Sequence, residues 1–156
     1  MNKQGASPLI SIYLFSSVAP MRSLAATCLQ GFVHLWDLSS TGHIGASPHW
    51  SEKINKQNHT IWGGRYLHQN SDIFATIDGS GCVKIWKYNS SKELTQRNTD
   101  DNKTSVPRSL EKLQESQLSE QPISSFDWSP DMLGLAVSTS FDQKVRILAF
   151  TNLDKL

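Results

Sequence analysis

The chain has 156 residues, 38% of them hydrophobic, and carries 15 basic against 14 acidic side chains for a net charge of +1. That length suffices for one ordinary domain with a sizeable core. The near-balance of charge excludes the electrostatic footprint of a nucleic-acid or anionic-membrane binder, and no apolar run reaches the length of a membrane span.

The first apolar stretch, PLISIYLFSSVA (8–19), follows a lone Lys3 and could be taken for a secretory leader. The sequons at Asn58, Asn89 and Asn102 would fit a secreted protein. Ser11, Tyr13, Ser16 and Ser17 interrupt that run, however. Ile10, Ile12 and Leu14 alternate within it, which predicts an inner strand. SLAATCLQG (23–31) then reads as an apolar strand ending in a tight turn, and GFVHLWDL (31–38) as the strand after the turn. The same order recurs twice. TIWGGRYL (60–67), DIFATIDGSG (72–81) and GCVKIWKY (81–88) form one further unit, and ISSFDW (123–128), LGLAVSTSFD (133–142) and QKVRILAF (143–150) another. Fourth strands are expected at roughly 45–54 and 108–118, before the second and third units. Within RSLEKLQESQL (108–118), Leu110, Leu113 and Leu118 could mark one face of a helix. The repeat instead demands an outermost strand there, and edge strands are often polar; a strand is expected.

Residues 89–107, NSSKELTQRNTDDNKTSVP, contain Leu94 and Val106 as their only apolar side chains, too few to offset the entropy of ordering. They are expected to be a disordered loop insertion. Cys28 and Cys82 both sit in apolar strand-like runs, the usage of small buried hydrophobes in a reducing compartment rather than of a disulfide framework.

Patterns for catalysis are weak. The histidines at 34, 43, 49, 59 and 68 show no H-x-x-x-H or H-E-x-x-H spacing, so no metal site is expected. Cys28 and His59 could be named nucleophile and base, but both occupy repeat positions that packing explains. TIDGSG (76–81) and WGG (62–64) are glycine-bearing turns with no helix after them, and a phosphate cradle needs that helix N-terminus. Arg65, Lys84 and Arg146 read as isolated charges on solvated edges or at partner contacts. No enzyme, cofactor or small-molecule substrate is expected.

Many short strands at even spacing predict an all-β meander. A period of about 40 to 50 residues, with Trp36-Asp37 closing a strand, predicts blades of a WD40-type β-propeller. The expected organisation is an incomplete three-strand blade over 1–40, a blade over 41–88, the insertion over 89–107 and a final blade over 108–156. In WD40 blades a histidine before the first strand, a hydroxyl on the second, an acid in the turn and the tryptophan form a buried hydrogen-bonded chain. Here Trp36 and Asp37 form the full dipeptide of the first unit. His59, Thr76 and Trp86 fit three places in the second, with Ser80 where the acid belongs. Ser138 and Asp142 fit in the last unit, where Leu148 stands for the tryptophan.

The stretch QPISSFDWSPDMLGLAVSTSFDQKVRIL (121–148) resembles the last blade of the monad-type WD-repeat proteins, in its QPISS-DWSPD opening, its S-FDQ turn and a final strand without tryptophan. TIWGGRYLHQNSDIF (60–74) and LAATCLQGFVHLWDL (24–38) resemble the two preceding blades. The resemblance covers most of the chain from about Leu24, and residues 90–107 match nothing in it. It implies an open part of a seven-bladed ring lacking about four N-terminal blades, hence a C-terminal fragment or a truncated gene model. It also implies a non-catalytic cytoplasmic adaptor. The implied partners are the co-chaperone complex with AAA ATPases and prefoldin-like subunits, with axonemal dynein chains as clients for motile cilia, and there is an implied link to apoptosis. The alternative is a WD-repeat scaffold of another multiprotein complex.

Overall fold

The alternation of β-branched and aromatic residues with polar ones suits a pleated, half-buried surface, and it decides the architecture. A computed structural model describes residues 10–15, 23–28, 31–37, 50–54, 60–89 and 109–153, and all its long elements are strands. They are β1 (Ile10–Phe15), β2 (Ser23–Cys28), β3 (Phe32–Asp37), β4 (Trp50–Lys53), β5 (Ile61–Leu67), β6 (Asn70–Asp78), β7 (Cys82–Asn89), β8 (Ser109–Gln117), β9 (Ile123–Trp128), β10 (Leu135–Ser140) and β11 (Val145–Ala149). They form three antiparallel sheets with the orders β1-β2-β3-β4, β5-β6-β7-β8 and β9-β10-β11. The fold is therefore all-β, with meandering sheets consistent with part of a β-propeller.

The three sheets share one register. Leu24 pairs with Trp36, Phe74 with Trp86 and Ala136 with Leu148, each at the same place in its second and third strands. The turn between those strands is also shared. Gly31 donates its amide to Cys28 O at 3.0 Å, Gly81 to Asp78 O at 3.2 Å and Gln143 to Ser140 O at 3.1 Å. Each of these residues has a positive φ, of 83°, 85° and 62° respectively. Glycine occupies that region freely and other L-residues do not. The third turn is made by Gln143 instead.

β4 and β8 pair with the strand before them, β3 and β7. The strand that opens each sequence unit thus completes the sheet of the preceding one. β8 is the segment whose leucine spacing imitates a helix. Leu110 packs in the core between the first two sheets, and Leu113 and Leu118 in the core between the second and third. On a strand, residues three apart point to opposite faces, so this spacing marks a strand covered on both sides. The WGG glycines are not at a turn: Gly63 and Gly64 lie inside β5, beside a bulge between Ile61 and Gly63.

The sheets stack in chain order, with β1 beside β5 and β5 beside β9. Between the first and second sheets, Ala25, Val33 and Leu35 meet Tyr66, Phe74, Trp86 and Tyr88. Between the second and third, Ala75, Ile77, Val83 and Ile85 meet Phe126, Trp128 and Phe150. A sheet buried on both faces reads as a near-continuous apolar run. β6 shows this directly, with every residue from Ile73 to Asp78 buried.

Candidate functional site

The polar side chains converge at one end of the sheets, on the turns after β6 and β10 and the loop after β8. In the second sheet, Asp78 at the end of β6 accepts from the Ser80 amide at 3.0 Å, the Ser80 hydroxyl at 2.5 Å and the Cys82 amide at 3.2 Å. Lys84 on β7 closes the group with Nζ 2.9 Å from Asp78 Oδ2. Burial raises the pKa of this carboxyl. The Ser80 hydroxyl, the Lys84 ammonium and the Cys82 amide outweigh that and leave it below the usual aspartate value.

The third sheet repeats the group with two members exchanged. Ser140 stands where Asp78 stands, and Asp142 where Ser80 stands. Asp142 accepts from the Ser140 hydroxyl, from the Lys144 amide at 3.1 Å and from Arg146, whose Nη1 also reaches Ser140 Oγ at 2.7 Å. The Arg146 guanidinium and the Ser140 hydroxyl hold the Asp142 carboxyl far below its ordinary range, and Asp142 in turn raises Arg146. An acid, a hydroxyl and a cation thus brace both hairpins. Lys84 and Arg146 are not the isolated charges that their spacing suggested. Arg65 has an acid nearby as well, its Nε lying 3.8 Å from Asp127 on the exposed surface.

The loop between β8 and β9 locks onto these turns. Gln117 Nε2 donates to Ser80 O at 2.6 Å and to Ser119 O at 2.5 Å, while the Cys82 thiol donates to Gln117 Oε1 at 2.7 Å. The amides of Leu118 and Ser119 donate to Gly81 O at 3.0 and 3.3 Å. A shallow polar cleft of about 420 Å³ remains between this loop and the third sheet's turn, lined by Gln117, Ser119, Gln121, Asp142, Lys144 and Arg146. Both signs of charge face it. Such a surface can hold polar side chains or backbone of a partner.

The residues assigned to the blade hydrogen-bond chain fall as follows. Trp86 Nε1 donates to Thr76 Oγ1 at 2.9 Å, both residues being buried in the second sheet. Trp36 is half-buried on β3, with its ring tilted against His34 at 6.1 Å. Asp37 ends β3 opposite Ser23, and its side chain lies outside the described residues, as does His59. Ser138 is buried on β10 opposite Phe126 and Arg146, while Asp142 takes Ser140 and Arg146 as partners. Sequence reasoning missed Asp78, Ser80 and Lys84 as a group, and Ser140 and Arg146. The signal was an acid and a hydroxyl two residues apart, in either order, with a cation six residues after the first.

Cys28 and Cys82 are free thiols, both buried. Among the described residues there is no group of three metal-ligating side chains, and no helix long and apolar enough to cross a membrane. Three sheets in one register, with braced turns gathered at one end, define an all-β protein built like part of a propeller. No family model matches the chain. Over 136 residues, 87% of its length, it is 44% identical to dynein axonemal assembly factor 10 of Xenopus tropicalis, covering 37% of that protein. It is 40% identical to dynein axonemal assembly factor 10 of Homo sapiens and 33% to that of Chlamydomonas reinhardtii, covering 38% of each. The chain therefore spans little more than a third of the length of these curated relatives.

Proposed function

We propose that this chain is part of a WD40-type propeller of the monad kind and serves as a non-catalytic adaptor in the assembly of axonemal dynein. The observation that carries the reading is its 33–44% identity, over most of its length, to proteins named for that process in frogs, humans and a green alga. The fold supports it in kind, because stacked sheets with short braced turns make a rigid platform that presents several surfaces at once. On this reading the chain works in the cytoplasm, before the motors reach the cilium. Its partners are the co-chaperone complex of AAA ATPases and prefoldin-like subunits, with dynein chains as clients. The link to apoptosis belongs to the same proposal and rests on the resemblance alone.

The test is affinity purification of the tagged chain from cells building motile cilia, with quantitative mass spectrometry of what it retains. Enrichment of the co-chaperone ATPases together with dynein heavy chains is expected. Recovery of a different multiprotein complex, with neither of these, would move the chain to the alternative of a scaffold serving another assembly.

A further inference from the structure

We draw no further inference here: the strongest candidate, the exposed edge-to-face pair of Trp62 on β5 and Phe141 in the turn after β10, is an apolar surface patch, and nothing in the structure shows what covers it.

Discussion

Gly81 is the position where a single methyl group should do the most damage for its size. Its φ of 85° lies in the left-handed region, where an L-side chain costs about 1–2 kcal/mol. Sterics add to this. A Cβ on Gly81 would stand 2.0 Å from the carbonyl oxygen of Ser119 and 2.8 Å from that of Gln121, both of them backbone atoms that cannot swing aside. The loop must retreat, and its retreat breaks the bonds from the Leu118 and Ser119 amides to Gly81 O. Each such bond is worth about 1 kcal/mol net. Gly81→Ala should therefore destabilise the chain by about 3 kcal/mol, and at about 2–4 °C per kcal/mol for a domain of this size the melting midpoint should fall by roughly 6–12 °C. Gly79→Ala, two residues away, is the control. Its Cβ would meet the Trp62 side chain at 3.2 Å, and Trp62 is 39% exposed, its ring edge-on to the exposed Phe141. A change within about 0.5 kcal/mol is expected there, since the smaller unfolded ensemble offsets the contact. Thermal and urea melts followed by circular dichroism, at one fixed protein concentration, compare the two. Equal losses for both variants would refute the idea that the β6–β7 turn and the β8–β9 loop are locked by close backbone approach.

Thr76→Val removes the acceptor of the buried Trp86 indole and should cost about 1–3 kcal/mol. In a double-mutant cycle with Trp86→Phe the two losses should be clearly less than additive by urea melts, whereas simple additivity would mean the bond contributes nothing. Gln143 holds a φ of 62° without being glycine, so Gln143→Gly should leave stability unchanged or raise it by up to about 1 kcal/mol, and a loss larger than that would show its side chain makes the turn. The Asp78 carboxyl is depressed by its partners, so the stability it contributes is complete above the ordinary aspartate value of about 3.9 and is lost as pH falls below it. Acid titration of the unfolding midpoint should therefore be shallower in Asp78→Asn than in the parent chain, and coincident curves would argue that the carboxylate does not stabilise the turn.

The strands were legible because their chemistry is local. Val, Ile and aromatic residues at alternate positions, punctuated by Gly31 and Gly81, leave few alternatives to a hairpin. The repeat then carried information that no single segment holds, and it decided the strand over 109–117, where Leu110 and Leu113 alone would have allowed a helix. Sheet membership was less visible. Nothing in the residues 50–53 says that they complete the sheet before them, because pairing is a matter of hydrogen bonds between distant backbones. The turn networks were misread for a similar reason. Matching Ser80 to the place of an acid assumes that a carboxylate must come from that position, yet Asp78, two residues earlier, folds back to receive the amide and hydroxyl of Ser80. Placement in space, and not position in a repeat, decides which group supplies the charge. The WGG stretch misled in the opposite direction, since glycines inside a strand can mark a bulge instead of a turn. Of residues 89–107, expected to be a disordered insertion, Asn89 instead ends β7, paired with Ser109, and the others lie outside the described residues, as does the role expected of His59.

The exchange of acid and hydroxyl between the second and third sheets bears on how a sheet can lose its tryptophan. In the second sheet the polar system has two parts, the buried Thr76–Trp86 bond and the Asp78–Ser80–Lys84 brace at the turn. In the third, Leu148 replaces the tryptophan and Ala136 faces it across the strands in place of Phe74. Two large side chains have thus become smaller, and a cavity would follow unless something else filled the space. Phe126, Trp128 and Phe150 do so. They form a mutual edge-to-face cluster with centroids 5.0, 5.2 and 6.4 Å apart, each pair contributing about 0.5–1.5 kcal/mol beyond its buried area. The Trp128 indole still finds an acceptor, the Arg65 carbonyl of the neighbouring sheet at 3.2 Å. The hydrogen bond that held one sheet together has become one that ties two sheets to each other. What the third sheet keeps is the brace at the turn, now with the bidentate Arg146 in place of Lys84. Packing is interchangeable between aromatic arrangements, but a two-residue change of direction needs its amides satisfied locally. The turns, which form the face that meets the cleft, are thus the part of the repeat under the tighter physical constraint.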